Sequence, residues 1–437
     1  MLTTLKNALK IKEIRKKLLY TLGMLVIIRL GSQLPAPGID GEFFKEWFQT
    51  QMGDVSGFID AITGGSFLSM SIFALNISPY ITSSIIMQLL TIAIPKLEEM
   101  QRDGEDGRKK IVAITRYVTV VLAIIQATAM AIGFGRQGYL TEYNALTVIT
   151  AIAALTAGSA FLMWVGERIT ENGVGNGISI VLTINIISRM PEDFMNLYTQ
   201  FVARKAPATA ILAAAIILAI IIGMVVLVII LNDGVRRIPV QYAKKVQGRK
   251  MVGGQTSNIP LKVNTAGVIP IIFAQSIMQM PIMICSFFGY QGQGVWAHIL
   301  NGLNSNNWCK PSDPVYSIGL LVYIVLIIFF AYFYTSITFN PLMIADNMKK
   351  QGGFIPGIRP GKPTSDYLDK VLNYIVFIGA VGLTIIAVIP YFFNGVFGAS
   401  VSFAGTSLII IVSVILETVK QIESQMLVRN YKGFLES

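Results

Sequence analysis

Apolar residues run along the chain in long, nearly unbroken stretches separated by shorter polar segments, the pattern of helices that cross a bilayer. The stretches predict ten spans, at residues 18–34, 72–94, 111–134, 146–165, 177–190, 210–231, 265–288, 318–339, 371–391 and 401–419. The second departs from the pattern. Ahead of it, Gly57, Asp60, Thr63, Gly64, Gly65, Ser66 and Ser69 stand among apolar residues, too much glycine and hydroxyl for a helix that faces lipid. The span proper is interrupted only by Pro79. This predicts a broken helix: a short, mobile half over 57–71, a non-helical joint, and a full half that crosses. Backbone of that kind persists at membrane depth only where protein buries it or where it lines a cavity, so a cavity is the expected working part.

Composition supports the same class. Of 437 residues, 53% are hydrophobic and 14% charged, far more apolar surface than one soluble core needs. A net charge of +11 would suit a nucleic-acid partner, but the placement of the 35 Lys and Arg residues points elsewhere. One set of loops holds only Lys45, Arg136, Arg189, Arg204, Lys205 and Lys310, and Arg29 is read as the one charge inside a span. The remainder fall between spans 2 and 3, 4 and 5, 6 and 7, 8 and 9, and at the two ends, so both termini are expected in the cytoplasm. Residues 1–17 place Leu2, Leu5, Leu9 and Ile11 at near-helical spacing among lysines, which fits a helix lying in an anionic interface or a solvated basic tail. Without a small-x-small cleavage site, the first span reads as retained. Cys285, Cys309 and His298 are too few for a Cys/His metal cluster, and a bridge between the two cysteines is the one disulfide open to the chain. No cofactor is expected.

Two cytoplasmic loops are chemically distinctive. Loop 232–263 carries Arg236, Arg237, Lys244, Lys245, Arg249, Lys250 and Lys262, and loop 340–370 carries GGFIPGIRPGKP with Arg359 between Gly357 and Gly361. Lipid headgroups would be satisfied by charge alone. Glycine and proline on both sides of Arg359 argue instead for a shaped tip presented to a partner.

The chain also repeats itself. PYITSSIIMQ at 79–88 and PIIFAQSIMQ at 270–279 share proline, isoleucine, methionine and glutamine, and spans five apart cross in opposite directions. That is the arrangement of an inverted repeat, with halves 18–190 and 210–420, an external linker 191–209 and a tail 421–437. Candidates to line a central pathway are Ile77 and Ile81 on span 2, Leu182 and Ile186 on span 5, Ile272 on span 7 and Ile410 on span 10; ordinary apolar packing stands beside that reading. Gln88, Gln126, Gln275 and Ser276 lie within spans, as helix glue or as parts of a gate.

An apolar ring forms no lasting bond with a passing side chain and opposes wetting when closed, which suits a conduit for polymers. A secondary transporter shares inverted repeats and broken helices but usually places a carboxylate at mid-membrane; here Glu167, Arg168 and Glu417 lie near span ends. An intramembrane enzyme lacks its parts, with no H-E-x-x-H and with His298 and both cysteines near the outer surface. Gly173-Val174-Gly175-Asn176-Gly177 looks like a phosphate loop without the following lysine, and reads as a tight turn into span 5.

GGSFLSMSIFALNISPYITSSIIMQLL, ITENGVGNGISI, the run from Arg236 to Pro270 and GGFIPGIRPGKPTSDYLDKVL together resemble, in order and over nearly the whole chain, the SecY family of protein-translocation channel subunits. Asn76 departs from it where the family more often has glycine. The resemblance implies an all-α membrane protein of ten helices in two inverted halves. It would pass signal-sequence-bearing polypeptides across the bacterial plasma membrane and release transmembrane segments sideways into lipid. It implies a constriction of Ile77, Ile81, Leu182, Ile186, Ile272 and Ile410. A plug over 57–71 would include Gly57, Ile62, Gly64, Gly65, Phe67 and Leu68. Spans 2 and 3 would part from 7 and 8 as a lateral gate, and the basic loops would dock a ribosome or the SecA motor. SecE and SecG are the implied companion subunits.

Overall fold

The computed structural model describes residues 8–39, 41, 63–136, 138, 140, 142–203, 207–242, 245–247, 250–252, 256–287, 294–311, 313–397 and 406–435. The chain forms two compact units, one of Met1–Ala215, Pro281–Leu300 and Phe397–Ser437, the other of Ile216–Met280 and Asn301–Val396. A helix stands at every predicted span. Among the described residues, five helices are by length and composition apolar enough to cross a membrane, six if the bent pair Ser78–Ala93 and Pro95–Gln101 is one span. The others carry charge or are short: α1 (Lys12–Gly31) opens on Lys12, Glu13, Arg15, Lys16 and Lys17, and the apolar helix at Ile269–Ile282 is brief.

In the first unit, α2 (Ser78–Ala93) opens with Pro79 in its first turn, where a helix start leaves its N–H groups unpaired in any case. It stops because Pro95 drives Ile94 into extended backbone (φ −113°, ψ 109°), and the chain bends by 107° into α3 (Pro95–Arg102). Then come α4 (Glu105–Arg136), α5 (Ala145–Asn172) and α6 (Gly177–Phe201). The glycine run between α5 and α6 folds as the predicted tight turn. Gly175 sits at φ +82°, Asn176 caps α6 by accepting from the N–H groups of Ile178 and Ser179, and Thr170 Oγ1 accepts from Gly177 N–H at 2.9 Å. α1 lies on α5 and α6, α2 on α4, α4 on α5, and α6 on the last helix of the chain, α13 (Thr406–Leu435). Small residues permit these approaches: a Cβ on Gly158 of α5 would meet the Ile72 carbonyl oxygen at 2.1 Å, and one on Gly177 the Gly166 oxygen at 1.9 Å.

One charge is placed differently from the sequence reading. Arg116 lies on α4 inside the predicted third span, so Arg29 is not alone there. Its side chain is exposed, and its Nε donates to Glu167 of α5 at 2.7 Å, a charge-assisted bond that joins the two helices.

The second unit holds most of α7 (Pro207–Asp233), apolar on all sides, with Leu218, Ile222, Val226 and Ile230 exposed as suits a helix in contact with lipid. Strands β1 (Val235–Tyr242), β2 (Lys245–Gln247), β3 (Lys250–Val252) and β4 (Thr256–Lys262) follow. β1 pairs antiparallel with β4, setting Ile238 opposite Ile259, and at its far end with β5 (Gly353–Phe354), setting Gln241 opposite Phe354. The two basic loops therefore share a three-stranded sheet, while β2 and β3 pair with one another in a second. Ile238 and Val240 alternate inward, as a period-two strand requires, and join Leu261, Met348, Ile355, Leu368 and Ile375 in one apolar core. α8 (Ile269–Phe287) opens with Pro270 in its first turn, as α2 does with Pro79, so the two matching decapeptides begin their helices alike. The rest is α9 (Val295–Leu303), α10 (Ile318–Thr338), α11 (Pro341–Lys350) and the 36-residue α12 (Lys362–Phe397). α10 and α12 pack through Ala331, Leu372, Val376 and Ala380. Cys285 and Cys309 are free thiols; burial pushes the Cys309 thiol above its ordinary pKa.

These contacts separate two glycines. Gly158→Ala should lower the melting temperature of the purified protein, because the new methyl meets backbone. Gly223→Ala, where a Cβ meets nothing within 4 Å, should be neutral or gain up to about 1 kcal/mol of helix propensity. Equal thermal stability of the two variants would contradict the packing described.

Candidate functional site

The break ahead of α2 is where the structure is least regular and most buried. From Gly64 to Ile77 the chain is a succession of turns, so of the described part of the expected half-helix over 57–71 only Thr63 is helical; Gly57 and Ile62 lie outside the described residues. The cause is local. Gly64 (φ +65°) and Gly65 (φ +86°) occupy left-handed backbone that ends a helix, and Met70 (φ +43°) and Asn76 (φ +49°) repeat the reversal. Short bonds knit the turns: Ser71 N–H donates to the Ser66 oxygen at 3.0 Å, Phe73 N–H to Ser71 Oγ at 3.2 Å, and Ser69 Oγ to the Gly65 oxygen. The segment is then tied to the loop after α1, where Ala36 N–H donates to the Met70 oxygen and Ile72 N–H to the Leu34 oxygen, each at 2.9 Å. Phe67, Leu68, Met70, Ala74 and Leu75 are buried in one cluster with Ala127, Met130 and Phe134 of α4 and Leu155 of α5. From Ser66 onward this is wall, anchored and packed.

Asn76 is the pivot at the joint. It is 1% exposed, its Oδ1 accepts from Asn185 Nδ2 of α6 at 3.1 Å, and its carbonyl accepts from Ser159 Oγ of α5 at 3.0 Å. Left-handed backbone is cheapest for glycine, and asparagine is among the few other residues that adopt it readily. Here it adds a bond glycine cannot make. Neither Asn185 nor Ser159 was singled out in the sequence, although Asn185, a lone amide in an apolar span, carries the signal that drew attention to the glutamines.

Of the proposed ring, Ile77 is fully buried among Ile28, Phe73, Leu162, Val165, Ile169 and Val181, with Ile81 one turn on and partly buried against the same cluster. Leu182 and Ile186 are buried one turn apart on α6, and Ile410 is buried on α13, which packs along α6. Ile272 belongs to the second unit and is partly buried on α8. The gate candidates divide in the same way. Gln88 lines a cleft of about 360 Å³ with Tyr80, Ser84, Gln101, Arg108 and Thr115, and Gln126 is half-buried on α4. Gln275 is buried and donates to Tyr391 Oη of α12 at 3.0 Å, beside Trp308 and Tyr323. Ser276 is exposed and turns back to the Ile272 oxygen of its own helix.

Among the docking residues, Arg236 and Arg237 are exposed on β1. Arg359 is exposed on a tip framed by Gly357 (φ +82°) and Gly361 (φ +103°), its carbonyl held by Thr364 Oγ1 at 2.9 Å. The backbone of Lys245 and Lys250 lies in β2 and β3, while Lys244 and Arg249 lie outside the described residues. Among the described residues no group of three His, Cys, Asp or Glu side chains could hold a metal.

The SecY family model matches residues 71–419. A protein translocase subunit SecY from Streptomyces galbus is 43% identical over 449 residues, covering 100% of both chains. The chain belongs to the SecY family. Two solved structures share the fold. One concerns the plug domain of the SecY protein, which stabilises the closed state of the translocation channel and maintains a membrane seal; it matches with TM-score 0.64 and 17% identity over 94% of this chain and 92% of that one. The other, Sec61 in the canine ribosome-channel complex, matches with TM-score 0.60 and 17% identity over 94% and 93%. SecY membership makes this a multi-pass membrane channel protein and gives the broken second helix its setting.

The joint yields a graded expectation. Asn76→Gly keeps the backbone and loses one buried amide bond, a cost of about 1 kcal/mol. Asn76→Val adds left-handed strain of about 1–2 kcal/mol to that loss. Thermal unfolding of the two purified variants should therefore rank Gly above Val, and the reverse order would reject the positive-φ explanation.

Proposed function

We propose that the chain is the pore-forming subunit of a protein-conducting channel in the bacterial plasma membrane, with both termini in the cytoplasm. One observation carries the reading: a turn segment, 64–77, is buried between apolar helices in a chain that matches SecY from end to end. Irregular backbone at such a place is tolerated where it serves a cavity. Residues 57–71, with Gly57, Ile62, Gly64, Gly65, Phe67 and Leu68, act as the plug, hinged ahead of Ser66, and Ile77, Ile81, Leu182, Ile186, Ile272 and Ile410 form the constriction. Gln88, Gln126, Gln275 and Ser276 belong to the helices that part to release transmembrane segments. No chemistry is performed on the polypeptide, so the chain is not an enzyme and the driving energy is supplied by a partner.

The basic sheet is the docking face. Its core makes it a rigid platform, and Arg359 stands on a tip of defined geometry, which fits a protein or ribosome surface better than mobile headgroups. The relative that sits in a ribosome-channel complex supports a ribosome as one occupant; the SecA motor is the other. SecE and SecG complete the channel, and the exposed apolar face of α7 is available to lipid or to such subunits. Family membership disfavours the solute-transporter reading.

Arg359→Glu should lower transport into membrane vesicles roughly tenfold by weakening partner binding, while assembly stays normal. Parental motor affinity and parental transport in that variant would remove the docking role. Ile410→Asn and Ile272→Asn should each hydrate the constriction, raising ion conductance of the resting channel and admitting weak signal sequences. Unchanged conductance and unchanged stringency in both would refute the seal.

A further inference from the structure

Arg29 is a charge with an unusual address. It sits in the last turn of α1, half-buried in an otherwise apolar stretch. Its place near a helix C-terminus is favourable for a cation, but the local carbonyls are already engaged. Ser32 N–H takes the Ile28 oxygen, Ser32 Oγ the Arg29 oxygen, Gln33 N–H the Leu30 oxygen and Leu34 N–H the Gly31 oxygen. The guanidinium instead reaches a point 35 residues along the chain, where Nη1 donates to the Gly64 carbonyl at 3.1 Å.

Gly64 is a confined position. At φ +65° it presents that carbonyl from a left-handed turn, and its other side is closed by α6. An added Cβ would lie 2.8 Å from the Asn185 oxygen and 2.9 Å from Ser188 Oγ. The character of the chain changes here. From Ser66 onward the backbone is held by the Leu34 and Ala36 bonds and by Ser159, and the Asn76 side chain by Asn185. Gly64 and Gly65, consecutive and both at positive φ, form the joint that precedes that anchored wall. Two side-chain bonds hold the pair: Ser69 Oγ donates to the Gly65 carbonyl from within the turn, and Arg29 donates to the Gly64 carbonyl from a separate helix.

We propose that Arg29 is a positioning residue that fastens the Gly64 joint and thereby sets the stability of the closed channel. The inference rests on the plug reading given above. A guanidinium in a low-dielectric setting is costly without a partner, so the charge and the carbonyl hold one another, and both are released only when an incoming polypeptide supplies the compensating contacts.

The test uses the full channel complex reconstituted in lipid vesicles. Arg29→Gln, and Arg29→Met as an apolar replacement compatible with a membrane helix, should assemble at parental levels. Each should raise resting conductance about tenfold, the worth of one hydrogen bond to a charged group, and relax signal stringency in cells. Arg29→Lys retains a cationic donor and should stay near the parent, which a loss of packing would not reproduce. Parental conductance and stringency in the Gln and Met variants overturn the proposal, as does failure of both to accumulate, which would make Arg29 a folding determinant instead. Ile410→Asn is read in parallel. If it leaks while Arg29→Gln and Arg29→Met do not, the latch alone is wrong; if none leaks, the channel reading fails with it.

Discussion

A peptide group with no water beside it must find its hydrogen-bond partner in the protein, and the first unit of this structure is arranged around that requirement. Between Gly64 and Ile77 the backbone abandons the helix, which would have satisfied its donors and acceptors internally. Serine hydroxyls, the strand-like loop after α1, and Ser159 from a neighbouring helix take over. The glycines of the surrounding helices follow from the same need. Gly158 and Gly31 have no side chain because the Ile72 carbonyl and the Phe73 ring occupy the space where one would lie.

The same rule separates structural from working polar groups on the apolar helices. Gln275 is committed to Tyr391 within a buried aromatic group, and Arg116 to Glu167; these fasten helix to helix. Gln88 faces an open cleft, so its amide is available to whatever enters between α2, α3 and α4. Arg29 stands between the two classes, because its acceptor is the backbone of a glycine hinge and not another helix. Bonds of this kind are strong enough to define a closed state and few enough to be exchanged.

In the basic sheet the constraint is different, since its geometry is set by an apolar core. Five residues of β5 and its flanks, Gly353 to Gly357, bring the second basic loop onto the first through Gln241 and Tyr242. A rigid platform carries its exposed arginines at fixed positions, which a pair of independent loops would not do.

The amino-acid sequence by itself determined the spans, the break before α2, the turn at residues 173–177 and the framed tip at Arg359. Each of these depends on neighbours within a few residues: apolar runs long enough for a bilayer, proline at the first turn, glycine where φ is positive. It did not disclose that residues 64–71, expected in the half-helix, form turns. Glycine content lowers helix propensity without specifying which turn replaces the helix, and burial of Met70 and Asn76 at positive φ depends on helices far along the chain. Nor did it reveal that Arg116 pairs with Glu167 of the next helix, that Asn76 meets Asn185 across 109 residues, or that two basic loops share a sheet. Those were decided by the tertiary structure, because a buried polar group takes the partner that helix packing brings within about 3 Å, and sequence spacing carries no record of that distance.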